Sequence, residues 1–179
     1  MLKNTQTTIG LLARIIHWAM AIMVISIIGI GFYMTDLPNS DDKWFLYNMH
    51  KSTGLLILAL LCFRIFWRFT NKWPVLPDNI PHYQKIASRL NIFLLYFLMF
   101  TMTISGSLGS LLSNHAISFF GLFTIPAILD NKEISRYLWD LHSIAPWILI
   151  AAITLHFIAS LYHHLLLKDN VLRRMWLGK

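Results

Sequence analysis

Long apolar stretches separated by short polar segments dominate the chain. Residues 15–34 form a run of 20 without a charged side chain. A helix needs ~20 apolar residues to cross the hydrocarbon of a bilayer. Four stretches meet this condition: about 11–34, 46–69, 90–112 and 140–167. The second is interrupted at its margins, since Lys51 and Arg64 leave only STGLLILALLCF uncharged between them. Its aromatic flanks, Trp44, Phe45, Tyr47, Phe66 and Trp67, suit the membrane interface. No small-x-small cleavage site ends the first stretch, so it reads as a retained helix and not a removed signal. The pattern predicts an all-α fold, an integral membrane four-helix bundle spanning residues 1–179 as one domain.

The segments between the spans set direction. Lys3 and Arg14 precede the first span; Arg64, Arg68, Lys72, Lys85 and Arg89 lie at or between the second and third; Lys168, Arg173, Arg174 and Lys179 follow the fourth. Eleven of the 15 basic residues thus share one side. The other side holds Lys43, Lys51, Lys132 and Arg136, with six of the eight acids: Asp36, Asp41, Asp42, Asp130, Glu133 and Asp140. The positive-inside rule then predicts both termini in the cytoplasm. Residues 71–84, with three prolines, read as a cytoplasmic connection. Residues 113–138 read as the longest outer loop, with SFFGLFTIP on the membrane surface or over the bundle.

Composition agrees with lipid as the solvent. Apolar residues make up 56%, charged residues 13%, and the mean hydropathy is +0.57. A soluble fold of this size would expose large apolar patches. The net charge of +7 is a topology signal, not a nucleic-acid footprint, because it is confined to one end of the spans. The one cysteine, Cys62, has no intramolecular disulfide partner and reads as a small buried apolar residue.

Ionisable side chains inside a bilayer are costly and point to function. Of eight histidines, His82 and His115 fall in loops. His50 and His142 begin the second and fourth spans at the same outer level. His156 follows His142 by fourteen residues, which at ~1.5 Å per residue places it ~21 Å deeper. Fourteen residues is close to four whole turns, so both share one face. His17 lies near the inner end of the first span, at the level of His156. Two cross-helix pairs result, His50 with His142 and His17 with His156. Axial histidines on facing helices are a way to hold haem in a bundle. Zinc or copper is disfavoured, since neither cysteines nor carboxylates join the pairs.

Small residues near these histidines leave room for a flat macrocycle: Gly54 after His50, Ala13 and Ala21 around His17, Ala145 after His142, Ala152 and Ser160 around His156. Close helix packing explains them as simply. Arg64 lies near the depth of His156 and suits a haem propionate. Lys51, beside His50, suits an anion or a quinone carbonyl. His163 shares the face of His156 near the inner surface and suits a propionate or a proton path, with a plain interfacial role at least as good a reading, while His164 carries no assignment. For Lys51, Arg64 and Arg68, interfacial anchorage is an equal alternative. The third span has no histidine and reads as structural.

With these residues placed, the chain resembles the bacterial cytochrome b561 family of four-helix inner-membrane dihaem cytochromes. The likeness rests on RIIHW at 14–18, NMHKSTG at 48–54 with Arg64 and Arg68, FFGLFTIP at 119–126, and LHSIAPWILIAAITLHFIASLYHHLLLKDNVLRRM at 141–175. The resemblance implies bis-histidine haem b at His17, His50, His142 and His156. It also implies electron exchange with the quinone pool in the inner membrane. One branch of the family looks like a superoxide oxidase that reduces ubiquinone, an oxidoreductase. Other relatives are non-catalytic cytochrome subunits that serve a partner redox protein. A haem-free anchor or transporter is disfavoured, because the span centres are apolar rather than broken or polar.

Overall fold

The computed structural model describes residues 1–74, 80–128 and 130–178. Pro77 of the proline-bearing connection and Lys179 lie outside the described residues. Four long helices account for most of the chain: α1 (Leu11–Asp36), α2 (Asp41–Thr70), α3 (His82–Leu112) and α4 (Lys132–Leu165). All four are long and apolar enough to cross a membrane. The shortest, of 26 residues, is about 39 Å long at ~1.5 Å per residue, more than the ~30 Å of hydrocarbon. A short helix, α5 (Val171–Leu177), follows.

The helices begin where capping chemistry dictates. The Ser40 side chain accepts the Lys43 amide, with Asp41 and Asp42 in the first turn of α2. Asn131 accepts the Ile134 amide at 3.0 Å and starts α4. At α3, the Pro81 carbonyl takes the Gln84 and Lys85 amides. Three helices therefore start earlier than their apolar stretches. α2 begins five residues before 46, and α3 and α4 eight residues before 90 and 140. An apolar window marks the hydrocarbon, whereas caps and prolines mark the helix ends.

Neighbours in sequence pack as neighbours in space: α1 on α2, α2 on α3, α3 on α4. One core runs through all four, with Ile16, Met20 and Val24 from α1, Ile57 and Leu61 from α2, Leu98 from α3, and Ala145, Leu149 and Ala152 from α4. Large apolar side chains also face outward, among them Ile22, Phe66, Phe97, Trp147 and Phe157. Such two-sided apolarity is what lipid demands. α1 and α4 meet through side chains, as in the Phe32–Trp147 ring contact at 4.9 Å. Buried Asn91 donates to the Ala152 carbonyl at 3.1 Å and ties α3 to α4.

One expectation needs correction. Cys62 is exposed on the outer face of α2. Its neighbour Leu61 is fully buried, and one residue turns a helix by about 100°. Within the four-helix architecture, the long loop also carries a short β-hairpin, β1 (Ile117–Phe119) with β2 (Phe123–Ile125). Ile117 pairs with Ile125, Ser118 with Thr124 and Phe119 with Phe123. The loop has three residues, 120–122: Phe120 and Gly121, both at positive φ, are the centre of a turn in which the Leu122 amide donates to the Phe119 carbonyl at 2.9 Å. The hairpin docks on α2 through Ser52. That hydroxyl lies 2.6 Å from the Ser118 carbonyl and 2.8 Å from the Asn48 carbonyl, and accepts the Phe120 amide at 3.1 Å.

Ser52→Ala should leave the helices intact and free the hairpin. Hydrogen exchange at the Phe120 amide is expected to rise several-fold, as loss of a bond worth about 0.5–1.5 kcal/mol implies. Unchanged protection there would show that the hairpin is held by something else. Asn91→Ala should destabilise the folded chain by about 1 kcal/mol, the scale of interhelical hydrogen bonds in membranes. Unfolding in mixed micelles measures it.

Candidate haem sites

Four histidines on three helices meet in two pairs. His50 of α2 faces His142 of α4, with ring centroids 6.2 Å apart. His17 of α1 faces His156 of α4, with centroids 6.3 Å apart. A metal between two imidazoles needs two bonds of ~2.0 Å and roughly 1 Å from each nitrogen to its ring centre, about 6 Å in all. Both pairs have that spacing. Among the described residues, no third histidine, cysteine or carboxylate joins either pair. Two axial imidazoles are the donor set of a six-coordinate haem, not of a four-coordinate zinc.

At the hairpin end, the His50–His142 pair borders a cavity of about 520 Å³. All four helices contribute to its wall, and buried Ile117 of the hairpin closes part of it. The lining is mostly apolar, as a macrocycle site requires. The His142 ring is oriented by α3. Its Nδ1 donates to the Met102 carbonyl at 3.0 Å, with Ser105 Oγ at 3.2 Å. With the proton on Nδ1, the lone pair of Nε2 is free for a metal. His50 Nδ1 is buried without a hydrogen bond of good geometry.

Two glycines make room for these rings. A Cβ on Gly106 of α3 would sit 2.6 Å from His142 Cε1. A Cβ on Gly31 of α1 would sit 3.1 Å from His50 Cε1. Neither glycine was singled out from the sequence, nor was α3 given a role beyond structure. The signal was there in Ser105-Gly106-Ser107, a small polar break inside an apolar span. Gly54 does line the cavity, but a Cβ there would meet only Ile27 Cδ1 at 3.9 Å. Lys51 lines the cavity beside His50.

The terminal end is more tightly packed. Arg64 donates through Nη2 to His17 Nδ1 at 3.0 Å and through Nε to the Tyr96 hydroxyl at 2.8 Å. A guanidinium only donates, so His17 Nδ1 is the acceptor here. Arg64 thus touches an imidazole of the pair directly. Ala13, Ala145 and Ala152 are buried in the core, and Ala21 is half-buried. Ser160 Oγ returns to the His156 carbonyl at 2.9 Å. His163 turns away from the pairs and takes Asp169 at 2.5 Å. His82, His115 and His164 are exposed.

The apolar cavity and the freed His142 nitrogen at the hairpin end fit haem, and comparison with known proteins agrees. A family model described as prokaryotic cytochrome b561 matches residues 8–178. Cytochrome b561 homolog 2 of Escherichia coli (strain K12) is 34% identical over 180 residues, covering 98% of this chain and 94% of the relative. The probable superoxide oxidase CybB of Yersinia pestis is 30% identical over 165 residues, covering 89% of this chain and 90% of the relative. Cytochrome b561 homolog 1 of Escherichia coli (strain K12) is 27% identical over 126 residues, 70% of this chain and 72% of the relative. A membrane electron-transfer protein that binds haem b, multi-pass in the bacterial inner membrane, is what this match describes. The chain belongs to the prokaryotic cytochrome b561 family.

Proposed function

We propose that His50 with His142, and His17 with His156, are the axial ligands of two haem b groups, and that the chain carries electrons from superoxide to the quinone pool. The observation that carries the reading is the matched separation of the two imidazole pairs, 6.2 and 6.3 Å. A haem held by each imidazole pair would supply reversible one-electron exchange. The hairpin end faces the periplasm and the termini the cytoplasm, on the distribution of basic residues. The overall reaction balances simply. Two superoxide anions each give up one electron and become two dioxygen molecules. One ubiquinone takes the two electrons with two protons.

The chain's own residues prepare this chemistry. Met102 and Ser105 hold His142 in the tautomer that binds metal. Gly31 and Gly106 leave space for the rings. The hairpin covers the periplasmic cavity and limits water. Lys51 places a positive charge beside His50 and draws in an anionic donor. At the cytoplasmic pair, ligation through His17 Nε2 requires Nδ1 to become a donor, so Arg64 must release it. A carboxylate, as on a haem propionate, is the natural new partner for that guanidinium.

A second reading rests on a specific feature. Asp36, Asp41, Asp42, Asp130, Glu133 and Asp140 crowd the same end as Lys51. They repel an anion and suit a cationic face of a partner redox protein. The chain would then be a cytochrome subunit passing electrons to or from that partner.

Haem quantification on purified protein tests the ligand pairs. The wild type should hold two haems per chain. His50→Ala and His142→Ala should each lose the same one, His17→Ala and His156→Ala the other. Full retention in any of the four would remove that residue from the ligand set. Gly106→Ala should lower occupancy of the periplasmic haem, because the new methyl meets His142. Gly29→Ala, with nothing within 4 Å of its Cβ, is the control and should keep both. Superoxide supplied to the haem-loaded protein should reduce ubiquinone. Lys51→Ala should slow this several-fold at low salt and flatten its dependence on ionic strength. No quinone reduction by superoxide, together with co-purification of a redox protein, would decide for the subunit.

A further inference from the structure

Beyond the four spans lies a segment that the proposed chemistry does not use. α5 crosses back to α1 through three contacts. Arg14 Nη1 donates to the Trp176 carbonyl at 2.9 Å. Trp18 Nε1 donates to the Met175 carbonyl at 3.2 Å. The Trp18 and Trp176 rings meet edge to face, with centroids 5.2 Å apart. The other end of the segment is tied to α4. Asp169 accepts from the His163 ring at 2.5 Å and, on its other oxygen, from the Val171 amide at 2.9 Å. The Asp169 amide returns to the His163 carbonyl at 3.2 Å. Lys168, at φ 52°, turns the chain between the end of α4 and Asp169.

α5 therefore bridges α4 and α1, the two helices that carry His156 and His17. Those helices share no extended backbone packing. Trp18 is next to His17 in sequence, and their rings are in edge contact at 5.4 Å. His163 follows His156 by seven residues on the same face, about 10.5 Å along the helix. Each anchor of the segment thus sits within two turns of a histidine of the cytoplasmic pair. α2 and α4, which carry the other pair, have no such bridge at this end among the described residues.

We propose that α5 is a strap that sets the separation of α1 and α4, and with it the geometry of the His17–His156 site, with Trp18, Trp176, His163 and Asp169 as positioning residues. The proposal rests on the haem reading above. A spacing error of a fraction of an ångström lengthens or tilts an axial bond, and ligand geometry tunes the potential of the iron. A helix that merely anchors the terminus at the membrane surface would have no preference between the two sites.

The test uses the full chain, loaded with haem and purified in nanodiscs. Redox titration followed by absorption and electron paramagnetic resonance resolves the two haems. The cytoplasmic one is assigned as the signal missing in His17→Ala. Trp176→Ala and Asp169→Ala should each shift the potential and the g-values of that haem and leave the other unchanged. Trp176→Phe keeps an aromatic edge against Trp18 and should restore the wild-type signal. If Trp176→Ala fails to fold, Trp18→Phe, which loses the indole N–H and one of its two fused rings but keeps an aromatic side chain, should still shift the same haem. Equal shifts at both haems, or none at either, would overturn the strap while leaving the ligand pairs standing. His17→Ala protein that retains both haems would overturn the strap and the haem reading together.

Discussion

Two pairs of imidazole rings facing one another across a lipid-embedded bundle are the constraint to which the rest of the structure answers. A polar ring in hydrocarbon must find partners on the protein, because lipid offers none. His142 shows how this is met. One nitrogen is occupied by the Met102 carbonyl and Ser105, which leaves the lone pair of the other free. α3 has no histidine, yet it supplies the carbonyl, the hydroxyl and the glycine on which that ring depends. The long α3–α4 contact and the Asn91 bond to Ala152 then fix the rotation of α4. Since α4 carries a histidine of each pair, its rotation governs both sites at once.

The two ends of the bundle solve the same problem with different means. The hairpin end is open, with a cavity of about 520 Å³ between the helices. A short β-hairpin lies over it, secured by the buried Ser52 hydroxyl. The terminal end is closed, with Arg64 and Tyr96 against His17 and α5 beneath. An open, lidded end suits exchange with a small donor from water. The closed end instead holds a single guanidinium, Arg64, against the His17 ring. Pro146 inside α4 lines the open cavity. It lacks an amide, so the helix loses one backbone bond at that wall.

The spans were legible because hydropathy is a local property of the chain and the bilayer selects for it directly. Helix ends were less so. HYQKIASR at 82–89 is polar, so an apolar window passes over it, yet nothing after Pro81 breaks the helix. Cys62 misled for a related reason: it sits in the uncharged stretch 52–63, where apolar residues face core and lipid alike. The hairpin was hidden by its length. Three residues per strand are too few for an alternation signal, and the strands are held by Ser52, which lies 66 positions from Ser118.

The sequence alone determined four apolar spans, their charge asymmetry and the levels at which four histidines lie, because each follows from rise per residue and from local composition. Only the tertiary structure decided what surrounds those histidines. Gly106 matters through His142, which is 36 positions away, and Gly31 through His50 on the next helix. Arg64 meets His17, and His163 meets Asp169, by the way the helices turn and end. Rotation of one helix against another is set by packing summed over the whole core, and no short stretch of residues carries that sum.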